Sequence, residues 1–212
     1  MPAAGQLIVF AATALVVIVI PGPSVIFLVS RALADGSRVA VLSVFGNSLG
    51  EYVQVIAVAF GIGAVVEDSV FAFNALKIIG GAYLVYLGGR TFMRRRSLAA
   101  AINALSTSRS GGRSFGEAFV VGVSNPKTIV FLAAILPQFV DRVAGSVPLQ
   151  ILVLGAIFSS IALVADTCWV LIAGRFRSWF AHSPRRLELV GGTGGLAIAA
   201  VGTGLLVSGR KS

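Results

Sequence analysis

Six long apolar runs, separated by short polar or basic breaks, dominate the pattern along the chain. They cover roughly Gln6–Ser30, Val39–Ile62, Val70–Gly89, Phe115–Phe139, Val147–Ala173 and Leu187–Ser208. None shows the two-residue alternation of a half-buried strand, and none confines its apolar residues to one helical stripe. Each is apolar around its whole circumference, as expected of a helix surrounded by lipid and neighbouring helices. A helix needs about 20 such residues to cross the hydrocarbon core, and every run reaches that length. The pattern predicts an all-α integral membrane protein of six transmembrane helices, with little structure outside the bilayer.

Composition agrees. The chain is 57% hydrophobic and 12% charged, with a mean hydropathy of +0.94. A soluble domain is about 45–50% apolar and about 25% charged, so too few charged residues are present to cover a water-facing surface. The first run has no basic residue before Arg31 and is too long for a signal-peptide core, so it reads as a retained span. Cys168 is the only cysteine, which excludes an intramolecular disulfide and suits a small packing residue.

The net charge of +9 acquires meaning from its distribution. Arginines sit in short connectors between apolar runs, with no folded soluble module among them, a pattern of topology rather than of nucleic-acid binding. Arg31 and Arg38 mark the first connector. Arg90, Arg94, Arg95, Arg96, Arg109 and Arg113 mark the third, and Arg175, Arg177, Arg185 and Arg186 the fifth. The other side has Arg142 and the tail pair Arg210 and Lys211, with Glu67 and Asp68 in the second connector. Loops one, three and five are therefore expected in the cytoplasm, with both termini outside. The long basic connector, 91–114, is a solvated linker that also suits anionic head groups.

Two three-helix halves in tandem must insert with opposite orientations, and the halves match in order. Pro21-Gly22-Pro23 interrupts span one and Asn125-Pro126 interrupts span four. Glu51 lies inside span two and Asp166 inside span five. Lys77-Ile78-Ile79-Gly80-Gly81 in span three parallels Glu188-Leu189-Val190-Gly191-Gly192 in span six. This predicts a 3+3 inverted repeat, residues 1–90 and 115–212 around the linker. Secondary transporters often use that plan, with the substrate at the interface of the repeats near the midplane.

The breaks and the buried charges carry the candidate chemistry. Proline removes a backbone N–H and clashes with the preceding turn, so Pro21-Gly22-Pro23 should unwind span one and begin a new helix near Ser24, whose free amides favour a carboxylate. The rival reading is a simple kink. Glu51, Lys77, Lys127 and Asp166 are ionisable groups inside spans, each costing about 2.5–3.5 kcal/mol at a helix centre. Lys77 can snorkel outward; for the two acids the rival is a structural ion pair with a lysine. Glu117 and Glu188 read as interfacial, and His182, the only histidine, as solvated in a loop. Gly46-x-x-x-Gly50 and Gly191-x-x-x-Gly195 permit close helix approach. They can serve a homo-oligomer, although packing within a bundle is the more frequent use.

These residues together resemble the LysE/RhtB family of amino-acid exporters. The resemblance rests on Pro21-Gly22-Pro23, Gly50-Glu51, and Lys77-x-x-Gly80-Gly81-Ala82-Tyr83-Leu84-x-x-Leu87-Gly88. Asn125-Pro126-Lys127-Thr128-x-x-Phe131, Pro137-Gln138-Phe139 and Asp166 complete it. It covers essentially the whole chain, and it departs at Glu51, where aspartate is more usual. It implies a six-span exporter in a bacterial cytoplasmic membrane, moving amino acids or small derivatives out of the cell on the proton gradient. On that reading Pro21, Gly22, Pro23, Ser24, Asn125, Pro126 and Lys127 form the substrate site, with the Ser24 half-helix and Lys127 holding the carboxylate. Glu51 and Asp166 hold the ammonium and exchange protons, as carboxylates beside apolar walls are suited to do. Lys77 is a candidate charge partner.

Other function classes fit less well. A membrane-embedded enzyme needs a nucleophile–base pair or a metal cluster; only Ser124 with Lys127, at i, i+3, offers a pair, and Asn125-Pro126 disturbs that spacing. A metal-ion transporter would lack the histidine and cysteine ligands that soft metals need. Nothing in the chain calls for a cofactor.

Overall fold

The placement of prolines decides how the first apolar run folds. The computed structural model describes residues 4–62, 70–93, 111–141, 143, 145–175 and 184–207, and in it this run is two helices. They are α1 (Ala4–Val19) and α2 (Pro23–Asp35), bent by 55° at the Pro-Gly-Pro break. Pro23 opens α2 in the first turn, where its missing N–H leaves no bond unmade. α2 ends at Gly36, whose φ of 89° suits glycine, and α3 (Ser37–Ala57) begins at the next residue. α3 then widens into a π-helical turn, Val58–Ile62.

α4 (Val70–Met93) follows, then α5 (Gly111–Val123) and, past the second break, the short α6 (Pro126–Val130). α6 continues through a π-helical turn, Phe131–Ile135, and a 3₁₀ turn, Leu136–Phe139. α7 (Val147–Arg175) and α8 (Pro184–Val207) complete the bundle. Every described element is helical, with no strand among the described residues. Three of these segments, Ser37–Gly61, Gly111–Phe139 and Val147–Arg175, are long and apolar enough to cross a membrane, and the bent α1–α2 pair makes a fourth. α4 and α8 have 24 residues each, about 36 Å at 1.5 Å per residue.

Glycines set the closest helix contacts. A Cβ on Gly46 or Gly50 would collide with the carbonyl of Phe115 or Phe119, and one on Gly122 with that of Asn47. The Gly46-x-x-x-Gly50 face is therefore used within the bundle, to seat α3 on α5. α4 lies along α8 in the same manner, Gly81 facing Gly202 and Leu206; the contacts of Gly191 and Gly195 lie outside the described residues. Leu42, Phe45, Leu49, Val53, Ile56, Val164, Leu171 and Ile172 face outward, a surface suited to lipid rather than water. Between α1 and α7 an apolar groove of about 660 Å³ is lined by Leu15, Val19, Val164 and Trp169. Cys168 lines this groove and is exposed rather than packed.

The apolar interior falls into two clusters. One gathers Phe10, Val55, Phe131, Leu154 and Phe158, with the Phe131 and Phe158 rings stacked at 4.9 Å. The other gathers Val25, Leu28, Val44 and Val170. Between these clusters the buried side chains of α3 and α7 are polar, Asn47, Glu51 and Gln54 on one and Asp166 on the other, which locates a polar layer inside the bundle.

The basic connectors are shorter than expected: Arg38, Arg90 and Arg175 lie within α3, α4 and α7. Arg31 is not in a loop: α2 runs on to Asp35 because nothing stops it before Gly36. Arg31 is buried there, paired with Asp35 at 3.2 Å and set over the Phe27 ring. Arg113 lies in α5, beyond the end of the connector, and pairs on the surface with Glu117. Glu67, Asp68, Arg94, Arg95, Arg96, Arg109, Arg142, Arg177, His182, Arg210 and Lys211 fall outside the described residues, as do the side chains of Lys77 and Glu188.

Candidate functional site

The second break creates the centre of the polar layer. Pro126 starts α6 and Asn125 caps it, its Oδ1 accepting the Lys127 N–H at 3.2 Å. Capping fixes the Asn125 amide and turns its Nδ2 into the bundle. There it donates towards Thr128 Oγ1 at 2.8 Å, Ser24 Oγ at 3.0 Å and Glu51 Oε1 at 3.2 Å. Thr128 adds its own hydroxyl to Glu51 Oε1, at 3.2 Å. Ser24, Glu51, Asn125 and Thr128 thus meet from the first, second and fourth apolar runs, all of them buried.

Lys127 turns the other way. Its Nζ donates to the carbonyls of Ile20 at 2.9 Å and Val17 at 3.2 Å. In an unbroken helix Val17 would be bonded by the N–H of residue 21, which Pro21 lacks. The lysine stem crosses the break above Gly22, where a Cβ would stand 3.2–3.3 Å from its last three atoms. Gly22 itself has an extended backbone, φ −98° and ψ −170°, which any residue can adopt. Its lack of a side chain makes room for the lysine.

These contacts separate readings that the sequence left open. Among the described residues Lys127 forms no ion pair with Glu51 or Asp166; two of its three donors go to carbonyls. Ser124 is exposed and its hydroxyl donates to Val120 in its own helix at 2.7 Å, so no Ser124–Lys127 dyad is assembled. Among the described residues there is also no group of three or more histidine, cysteine or acidic residues placed to hold a metal.

Asp166, on α7, joins the layer through Asn47, whose Nδ2 donates to Asp166 Oδ2 at 3.3 Å. Asn47 precedes Glu51 by one turn of α3, so it stands between the two acids. Glu51, Asp166 and Lys127 lie within electrostatic range of one another. Gln54 lies one turn beyond Glu51 and donates Nε2 to the carbonyls of Gly122 and Val123, both at 2.7 Å. Three acceptors in this row have no partner: Asn47 Oδ1, Glu51 Oε2 and Gln54 Oε1.

The site therefore contains three residues that a search for ionisable groups passes over: Asn47, Gln54 and Thr128. Their signal was present. Asn47, Glu51 and Gln54 stand at i, i+4 and i+7 in an apolar run, one face of one helix.

Comparison with known proteins points the same way. The family model for the LysE type translocator matches residues 15–209. A homoserine/homoserine lactone efflux protein of Salmonella typhimurium is 32% identical over 192 residues, covering 91% of each chain. A membrane protein of Vibrio cholerae is 36% identical over 143 residues, 68% of each chain. One of Bacillus subtilis is 25% identical over 185 residues, covering 84% of this chain and 88% of its own. No solved structure matches.

Proposed function

Since the chain belongs to the LysE type translocator family and is a bacterial membrane transporter of the efflux kind, we propose that it exports amino acids or small amino-acid derivatives from the cytoplasm, coupled to protons. The transporter is a 3+3 inverted repeat of six spans in the cytoplasmic membrane, with residues 1–90 and 115–212 as its halves and both termini outside. Pro21, Gly22, Pro23, Ser24, Asn125, Pro126 and Lys127 shape the substrate site where the two breaks meet. Glu51 and Asp166 take the substrate ammonium and exchange protons, and anionic lipids gather at the basic connectors.

One observation carries this reading. On α3 the unpartnered buried atoms Asn47 Oδ1, Glu51 Oε2 and Gln54 Oε1 are all acceptors, and the unpartnered Ser48 hydroxyl on the same helix can accept as well. A buried acceptor without a donor costs about 1–3 kcal/mol, more when charged, so the layer is built to receive N–H donors or a proton. A primary ammonium brings three donors and a positive charge. The relatives' substrates fit the same chemistry. Homoserine and its lactone share the α-ammonium but differ at the carboxyl, which is closed as an ester in the lactone. A site that passes both must anchor the amine. When a free carboxylate is present, the first-turn amides of α2 are the group suited to it.

Efflux from dipeptide-loaded cells, compared with and without the protein, identifies the substrate. Asp166→Asn and Glu51→Gln keep size and hydrogen bonding but remove the ionisable proton. Each should abolish uphill, gradient-driven efflux of that substrate while downhill exchange continues. A double mutant that still pumps uphill would sink the assignment of coupling to these acids.

A further inference from the structure

Each of the two broken spans deprives a backbone carbonyl of its helical partner, and the structure shows what takes its place. Pro21 deprives the Val17 carbonyl of its helical partner, and Lys127 Nζ fills the place from the fourth apolar run, 110 residues away. Pro126 likewise deprives the Gly122 carbonyl of its helical partner, leaving it the Asn125 N–H at 3.2 Å. Gln54 Nε2 fills that place from the second run, 68 residues away at 2.7 Å. Each donor also takes a second carbonyl at the end of the same half-helix, Ile20 for Lys127 and Val123 for Gln54. Each broken helix is thus completed by a side chain from the other half of the chain.

We infer that Lys127 and Gln54 are a reciprocal pair of positioning residues, each holding open the proline break of the opposite half. This rests on the transporter reading only for its consequence in transport; the contacts themselves do not depend on it. Lys127 is then a brace rather than the seat of a substrate carboxylate. The spacing of the motifs follows from this. Pro21 creates the deficit, Gly22 leaves the corridor for the lysine stem, and Pro23 starts the next helix. Asn125 and Pro126 do the equivalent work for the second break, with Gln54 supplying the donor. An ammonium at the carbonyl end of α1 also faces the negative end of that helix, where a cation is favoured. A neutral amide suffices at the second break, where the α5 terminus already closes with the Asn125 N–H on Gly122 at 3.2 Å.

The test is a pair of double-mutant cycles on the purified full chain in detergent, read by thermal melting. Lys127→Met should lower the melting temperature, and adding Pro21→Ala, which restores the missing N–H, should recover most of the loss. Gln54→Met should likewise be rescued by Pro126→Ala. The crossed combinations, Lys127→Met with Pro126→Ala and Gln54→Met with Pro21→Ala, should show no rescue. Should Lys127→Met not fold, Gly22→Ala supplies the same information more gently. Its Cβ presses on the lysine stem, so the milder loss should be relieved by Lys127→Gln. Equal rescue by matched and crossed prolines, or no loss from either donor, overturns the pairing.

Transport gives a separate readout, on the amino acid found in the efflux screen. Lys127→Gln, which keeps two N–H donors, should lower the maximal efflux rate and leave half-saturation unchanged. A raised half-saturation at unchanged maximal rate would return Lys127 to the substrate. Because melting needs no substrate, failure of the braces and failure of the transporter reading are told apart.

Discussion

Asn125 offers the sharpest quantitative test, because one side chain does two jobs that different substitutions separate. Asn125→Ala removes the cap that accepts the Lys127 N–H, a loss of about 0.5–2 kcal/mol. It also removes a donor to the Glu51 carboxylate, worth about 1.5–3 kcal/mol for a charged acceptor. The sum is about 2–5 kcal/mol of stability. Asn125→Asp keeps the cap but sets a carboxylate oxygen where Nδ2 stood, 3.2 Å from Glu51 Oε1. While both are ionised, an effective dielectric of about 20 gives about 5 kcal/mol of repulsion, enough to make the pair share a proton unless the pH is high. At alkaline pH the aspartate variant should therefore melt at or below the temperature of the alanine variant, although it is the closer mimic in shape. Adding Glu51→Gln should relieve Asn125→Asp, whose charge then has no rival, but not Asn125→Ala. Thermal melting of purified protein in detergent, alongside efflux, reads all four variants. The account fails if Asn125→Asp melts like the unmodified chain at that pH, or if Glu51→Gln rescues both variants equally.

Three further outcomes are expected. Cysteines placed at the two termini should label from outside intact cells, and cysteines replacing Arg96 or Arg177 should not; outside labelling at Arg96 overturns the orientation. Gly50→Ala and Gly122→Ala drive a Cβ into the backbone of the facing helix, whereas at Gly61 and Gly116 nothing lies within 4 Å. The first two should cost at least the usual 1–3 kcal/mol of overpacking, roughly, while the second two melt normally. Replacing Pro21, Gly22 and Pro23 together by alanine should give normal insertion and no efflux, since the continuous helix no longer presents the break. Undiminished efflux would reduce the motif to a kink.

The positions of the helices were largely legible because lipid imposes them: an apolar run of span length must be a helix, and its ends are where charge begins. α4, α7 and α8 begin or end within a few residues of their runs. Arg31 shows the weakness of that rule. A basic residue reads as a span boundary, yet here Asp35 four residues on allows it to stay within the helix and be buried. In the site, Glu51 and Lys127 stood out because charge in an apolar run is costly. Asn47, Gln54 and Thr128 did not, being neutral and individually cheap, although they shape the layer as much. What Lys127 does was not legible at all. Its partners are backbone carbonyls more than 100 residues earlier, and a carbonyl has no letter in the sequence.

The polar layer is closed along the bundle on both sides, and the two closures are built differently. Towards Gly36, the cluster of Val25, Leu28, Val44 and Val170 is carried entirely on regular α-helix. A Cβ on Gly174 would strike Ser37, so α7 is drawn tightly against the start of α3. On the other side the stack of Phe10, Phe131 and Phe158 closes the layer. Phe131 there begins the π-helical turn, which a 3₁₀ turn follows directly. Such turns have poorer hydrogen-bond geometry than α-helix and recur at functional hinges. Regular helix that carries small contacts moves as a rigid unit, whereas a ring seated on an irregular turn can be displaced by a local change of register. The aromatic side is the outer one if the basic connectors face the cytoplasm. A substrate held by its ammonium at Glu51 would then leave past Phe131, and the irregular segment Phe131–Phe139 would lie where an exporter needs its exit to yield.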